Sequence, residues 1–296
     1  MATPTLRQLR YFAALARHCH FGHAAEACGV SQPALSLQIK ELEDIMGAPL
    51  VDRSARQVAV TPLGQSLVDP IDDILHAVDE LSDMARASQD RLVGKLRIGV
   101  IPTVAPYLLP TTIAAIAAKY PGLHLHVRET LTPKLIDELA QGRLDAAIMA
   151  LPVSESQFAE TPLFNEDFVL IRPDSQADEP VPDPQHLREM RLLLLEEGHC
   201  FRDQALALCS IQPALTSDSL DASSLTTLVQ LVGAGVGVTL LPEMAIKVET
   251  QAAPVAAARF PNPAPHRTIG MVWRKANPLA PRLKEIATLI TPPPSG

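Results

Sequence analysis

The sequence predicts an α/β protein: an N-terminal helix-turn-helix with a β-hairpin, one long helix, and a C-terminal domain of two α/β lobes. Three observations predict it. Two short amphipathic segments separated by "GVS" open the chain, an acidic amphipathic stretch follows, and from Leu92 onward apolar strand runs alternate with helical runs. At 296 residues, with 47% apolar and 20% charged residues, the chain is long enough for two or three domains with their own cores. The most apolar window, Leu225–Pro242, is broken by Gln230, glycines and Pro242, and reads as buried helix-turn-strand rather than a membrane span. "MATPTLRQLRYF" has no apolar signal core, so a cytoplasmic protein without a membrane partner is expected. In that compartment a disulfide is transient or redox-sensing, not a structural staple. A formal charge of −8 excludes a wholly basic nucleic-acid coat but leaves room for a basic module on an acidic body.

The first segment runs to Gly64. Leu6, Leu9, Phe12, Ala13 and Ala16 form one apolar stripe, and "HFGHAAEACGV" is a short helix stopped by Gly29. In "SQPALSLQIKELEDIMG", Ser31 is placed as N-cap and Pro33 in the first turn, where its missing N–H costs nothing. Leu35, Ile39, Leu42 and Met46 line the inner face. Gln32, Ser36, Gln38 and Lys40 are expected outside, as side chains able to reach bases and phosphates. "PLVDRSARQVAVTPLG" alternates as a hairpin carrying Arg53 and Arg56. Residues 1–64 hold six Lys/Arg against five acids, so the basic character of this module is slight.

Residues 65–90 follow as a linker helix with Leu67, Ile71, Ile74, Leu75, Val78 and Leu81 at helical spacing. Its other side is acidic, from Asp69 to Asp83, which suits a dimerising linker held off DNA. Residues 91–296 alternate strand and helix, predicting βαβ units with parallel sheets. The two lobes are expected at about 91–165 plus 267–296 and about 166–266, with crossovers near Phe164–Asp167 and His266. Thr103 and Thr132 both follow strands, where α/β sheets bind ligands at helix N-termini.

"EEGHCFRDQALALC", Glu196–Cys209, holds two of the four cysteines. Taken alone it permits a redox pair or two buried hydrophobes. Zinc is disfavoured, because two Cys and an adjacent His lack the C-x-x-C geometry, and no metal or cofactor is expected. Gly198 and His199 precede a run of helix formers, placing Cys200 at a helix N-terminus, whose positive end favours a negative sulfur. His199, if protonated, and Arg202 push the same way. Cys19 and Cys28 read as packing residues. "HLH", His124 and His126, reads as one face of a strand, and "GAGVG" as tight helix-to-strand packing.

Over essentially its whole length the chain resembles the LysR-type transcriptional regulators. The resemblance is carried by "LRQLRYFAALARHCHFGHAAEACGVSQPALSLQIKELEDIMGAPLVDRSARQVAVTPLG". "IPTVAPYLLP", "LEEGHCFRDQALALC" and "RTIGMVWR" are similar to the hydrogen-peroxide-sensing members. The resemblance implies a winged helix-turn-helix, a linker helix and a two-lobed regulatory domain similar to periplasmic binding proteins. It implies a regulator, not an enzyme, with promoter DNA, RNA polymerase and a homo-oligomeric dimer of dimers as partners and hydrogen peroxide as signal. The implied DNA contacts are Ser31, Gln32, Pro33, Ser36, Gln38, Lys40 and Arg53. Cys200 becomes the peroxidatic cysteine and Cys209 its resolving partner, with Thr103, Thr132, His199 and Arg267 around the peroxide. Two departures stand out: "GH" after Phe21, which removes or shifts a phosphate contact, and Pro213 beyond Cys209. If Cys200–Cys209 is helical, the two residues lie about 13.5 Å apart and roughly half a turn out of phase. A disulfide needs Cα atoms within about 7 Å, so bonding would require unwinding. The competing expectation is a LysR-type regulator that clasps a small metabolite between its lobes, with incidental cysteines.

Overall fold

The computed structural model describes residues 3–52, 58–87, 92–183, 186–208 and 221–292. The chain divides into two compact units, Met1–Ala85 and Arg86–Gly296.

In the first unit, α1 (Leu6–His18) opens on a capping box in which Thr5 and Gln8 each accept the other's backbone N–H. Its buried stripe runs through Leu9, Phe12, Ala13 and Leu15, while Leu6, expected on the stripe, is exposed. The short α2 (Phe21–Ala27) and the longer α3 (Gln32–Met46) follow. Gly29 at φ +66° makes the turn between them, and Gly47 at φ +72° stops α3; both positions suit a residue without a Cβ. Leu35, Ile39 and Leu42 are fully buried with Phe12 and Leu15, each contributing roughly 1.5–3 kcal/mol. β1 (Val51–Asp52) and β2 (Ala59–Val60) pair antiparallel as the base of the hairpin. α4 (Pro62–Ala87) is one 26-residue helix that begins at Pro62. Ile71 is buried on the α1–α3 core, with Leu67, Val68 and Leu75 packed beside it. Ile74 and Leu81, expected on the same stripe, are exposed. Asp72, from the acidic side, reaches back to Arg17 at 3.1 Å.

The second unit begins with β3 (Gly94–Val100), α5 (Ala105–Lys119), β4 (Leu123–Glu129), α6 (Thr132–Ala140) and β5 (Ala146–Leu151). β3 pairs in parallel with both β4 and β5, the βαβ arrangement the alternation predicts. The 16-residue β6 (Phe158–Pro173) then leaves this lobe. The other lobe holds β7 (Leu194–Leu195), α7 (Cys200–Leu208), β8 (Asp221–Ala222), α8 (Leu225–Gly233), β9 (Thr239–Pro242), α9 (Glu243–Glu249) and β10 (Val255–Arg259). The chain returns on β11 (His266–Arg274) and ends in α10 (Ala280–Ala287).

One strand serves both lobes. Phe158–Asp167 of β6 pairs with β11, and Phe168–Pro173 pairs with β9 and β10, every one of these pairings antiparallel. The expectation of parallel sheets holds for β4–β3–β5 and for the short β7–β8 pair, and needs correcting for the strands that pair with β6 and β11. The chain leaves on β6 and comes back beside it on β11, so the two must run in opposite directions. The apolar run "LLLLEEGHC" yields the two-residue β7 and a single bridge from Leu192 to Val238 before the turn into α7. The first lobe's core centres on Trp273, Ile148 and Met271, and the second's on Val229, Leu240 and Leu241.

Candidate functional sites

In the first unit, α3 presents its outer face on one side of the helix. Gln32, Pro33 and Lys40 are exposed and Ser36 is half-buried. At about 100° per residue, Gln32, Ser36 and Lys40 fall on one sector, with Leu37, 57% exposed, beside them. Ser31 is the N-cap, but its hydroxyl makes no capping bond, so it remains available. Gln38 departs from this set: it lies about 200° round the helix from Ser36, and its amide donates to Glu41 at 2.6 Å. Arg53 lies outside the described residues. His20 supplies a feature the sequence did not disclose. Its Nδ1 accepts from the Gly22 and His23 N–H groups at 3.1 and 3.3 Å and caps α2. That leaves Nε2 as the ring's donor, next to the "GH" departure.

In the second unit, Cys200 is the first residue of α7, half-buried, with a free thiol. Its helix belongs to the second lobe, yet Cys200 packs against the core of the first. Gly198, at φ +92°, allows this: a Cβ there would stand 3.0 Å from Leu131 Cδ1. Leu131 is in turn the N-cap of α6, whose first residue is Thr132. The turn before Cys200 and the start of α6 are thus in direct contact. The Thr132 hydroxyl is buried and has no hydrogen-bond partner among the described residues. Such a group is rare in folded proteins and marks a place for a further ligand or water.

Thr103 is buried just after β3. Arg267 Nη1 donates to its hydroxyl at 2.9 Å and Nη2 to its carbonyl at 3.1 Å. With the guanidinium on its oxygen, the Thr103 hydroxyl has its own proton to give elsewhere. Arg267 also donates from Nε to Glu166 Oε2 at 2.8 Å, and its guanidinium carbon lies 5.1 Å from the centre of the Phe201 ring. All three nitrogens of Arg267 are therefore engaged within the protein. Thr103 and His199 share the wall of a hollow of about 130 Å³, together with Glu129, Ser224 and Thr226. Cys209 lies outside the described residues.

Two family models span these units. "Bacterial regulatory helix-turn-helix protein, lysR family" matches residues 6–65, and "LysR substrate binding domain" matches residues 89–292. The chain belongs to the LysR family. Among its LysR relatives, a probable hydrogen peroxide-inducible genes activator of Streptomyces viridosporus is 44% identical over 292 residues, covering 97% of this chain and 93% of the relative. The DNA-binding transcriptional dual regulator OxyR of Escherichia coli K12 is 40% identical over 287 residues, covering 96% and 94%. Two solved structures share the architecture. Full-length OxyR of Pseudomonas aeruginosa, a cysteine-to-aspartate form, has a TM-score of 0.71 at 36% identity and covers 97% of this chain and 98% of its own. An H2O2-bound cysteine-to-serine mutant of Corynebacterium glutamicum OxyR has a TM-score of 0.67 at 37% identity, covering 98% and 92%.

The surroundings of His199 and Arg202 decide what each can contribute beside Cys200 in this LysR chain. His199 is 5% exposed, and burial lowers its pKa below the ordinary 6.5, with Glu196 only partly opposing this. At neutral pH the imidazole is therefore neutral and acts as a hydrogen-bonding group, not a cation. Arg202 is buried and donates to the Leu195 carbonyl at 2.6 Å and to Asp221 at 2.8 Å, so its charge is balanced by a carboxylate. A pH dependence follows from His199. Unfolded His199 binds a proton more readily than folded His199, so stability is intact above about pH 6.5 and is lost as pH falls below it. Thermal melts at pH 7.5 and 5.5 should show a larger acid-induced drop for the natural protein than for His199→Gln. Equal drops would contradict the assignment.

Proposed function

We propose that the chain is a DNA-binding transcriptional regulator of the LysR family that senses hydrogen peroxide through Cys200 and switches by a Cys200–Cys209 disulfide. The observation that carries this reading is the buried, unpartnered Thr132 hydroxyl at the head of α6, in a segment packed against the turn that presents Cys200. Thr103, its oxygen already bonded to Arg267, offers a second hydroxyl proton. The peroxide-inducible activators and the H2O2-bound OxyR structure among the relatives support the same reading.

The chemistry proceeds in two steps. The Cys200 thiolate attacks one peroxide oxygen; an S–O bond forms as the O–O bond breaks, and sulfur gives up two electrons. The other oxygen leaves as hydroxide and takes a proton to become water. Thr103, Thr132 and neutral His199 serve as hydrogen-bonding groups for that developing charge. The Cys209 thiolate then attacks the Cys200 sulfenic sulfur, forming the S–S bond and releasing a second hydroxide, which is protonated to water.

The second step has a conformational cost. Cys200 and Leu208 bound one continuous helix, so their Cα atoms are about 12 Å apart. One further peptide spans about 3.8 Å, which leaves at least about 8 Å to a residue attached to Leu208. A disulfide requires about 7 Å or less. The C-terminal part of α7 must therefore unwind before Cys209 can bond, which makes oxidation a structural switch.

A metabolite-clasping regulator is the second reading. The hollow holding Thr103 and His199, at about 130 Å³, falls below the ~300–1,000 Å³ of ordinary small-molecule sites. A larger hollow of about 750 Å³, walled by Tyr107, Phe164, Met244 and Val248, has room for a metabolite, but no cysteine among the described residues lines it.

The exposed Ile74 and Leu81 on α4 suit a helix that pairs with a second copy, which supports a dimer, or a dimer of dimers, on promoter DNA where RNA polymerase is recruited. In the cytoplasm the thiols would rest reduced. Promoter affinity measured against salt tests the DNA half. We expect Lys40→Ala to weaken binding to all sequences and lower the salt slope by about one. Treatment with one equivalent of peroxide should change the footprint, and dithiothreitol should reverse it. A footprint indifferent to peroxide but altered by a metabolite favours the second reading.

A further inference from the structure

We infer that Glu166 is a positioning residue for the peroxide reaction, acting through Arg267 on Thr103; this rests on the reading of Cys200 and Thr103 as the peroxide site. Glu166 lies on β6 in the stretch that crosses between the lobes, directly opposite Arg267 on β11. Both side chains are almost wholly out of water, 3% and 1% exposed, and their charged atoms meet at 2.8 Å. The carboxylate is used at both oxygens. Oε2 takes Arg267, and Oε1 accepts the Met244 N–H at the start of α9 at 3.1 Å.

A guanidinium is a planar fork, so fixing its Nε fixes the direction of both Nη groups. With Nε on Glu166, Nη1 and Nη2 land on the hydroxyl and carbonyl of Thr103, and the plane lies beside the Phe201 ring. Phe201 adjoins Cys200 in the chain. One arginine, aimed by one glutamate, therefore touches both the threonine from the first lobe and the residue beside the sensing cysteine from the second. The consequence for chemistry is the Thr103 proton. While Arg267 occupies the hydroxyl's acceptor side, that hydroxyl must donate elsewhere, toward the hollow it shares with His199. Without Glu166 the fork is free to turn, and the hydroxyl loses its fixed orientation. The carboxylate also balances the guanidinium charge, so Arg267 here aims a hydroxyl and is not a free cation.

The test is the second-order rate constant for thiol loss in reduced full-length protein mixed with hydrogen peroxide, read by quenching with an alkylating reagent and mass spectrometry. Circular dichroism checks that each variant is folded. Glu166→Gln should react on the order of 10- to 100-fold more slowly, the range for a misplaced reacting group. Arg267→Lys, which keeps the charge but loses the fork, should slow the reaction similarly. In a Thr103→Val background neither change should slow it further, because the group they aim is gone. A purely structural role would instead give effects that multiply with Thr103→Val. Multiplying effects, or a Glu166→Gln rate within about twofold of the natural protein, would overturn the inference. If the natural protein itself does not react with peroxide, the peroxide reading fails, not the role of Glu166.

Discussion

Cys200→Ser should abolish the peroxide response. The hydroxyl that replaces the thiol is a far poorer nucleophile and cannot form a disulfide, so both steps are removed at once. The hydroxyls of Thr103 and Thr132 and the imidazole of His199 remain but have no sulfur nucleophile to serve. Thiol oxidation at this site should drop on the order of a thousandfold or more, to the background of the remaining cysteines. Cys19, Cys28 and Cys209 remain to provide that background; Cys19 is an exposed thiol and burial raises the pKa of Cys28. DNA binding by the reduced protein should be unchanged, since Cys200 belongs to the other unit. Peroxide-dependent transcription measured with purified polymerase checks both points, and a retained response in Cys200→Ser would assign the sensing to another group.

Arg267→Ala should produce the largest loss of stability. It leaves the Glu166 carboxylate, 3% exposed, buried without its cation, and takes two donors from Thr103. Breaking a buried pair on one side costs about 3–5 kcal/mol, because the remaining charge is uncompensated. For a unit of this size the melting temperature should fall by roughly 10 °C. Replacing both partners, as Arg267→Met with Glu166→Leu, should recover most of that loss, since two apolar groups leave no orphaned charge. A single-variant drop below about 2 °C, or no recovery in the double variant, would show that the pair is not buried as described.

These two residues also show what local sequence could disclose. Cys200 was legible as the start of a helix because Gly198 and His199 precede a run of helix formers. The α1–α3 module was legible because glycines stop its helices and apolar residues recur at helical steps. Arg267 was legible only as a basic residue before a strand; its partner Glu166 lies 101 positions away, and nothing in either neighbourhood announces the pair. The full length of β6 was hidden by Pro162 and the polar "NED" run within it, which break the apolar pattern where the strand passes from one lobe to the other. β10 is not legible locally, because "VAAAR" is rich in alanine, a poor strand former. Gln38 is different. Its place off the Gln32–Ser36–Lys40 face follows from helical angles alone, about 200° round from Ser36. The partner of Arg202 was not legible, because Asp221 lies beyond the helix on which Arg202 sits.

Oxidation at Cys200 is expected to force α7 to refold. Its most direct test is hydrogen exchange with mass spectrometry on the full-length protein before and after one equivalent of peroxide, with the disulfide mapped on the same sample. We expect a loss of two hydrogens, a bond linking Cys200 to Cys209, and loss of amide protection across α7, Cys200–Leu208. A Cys200–Cys209 bond with that protection unchanged, or a bond joining any other pair of cysteines, would contradict it.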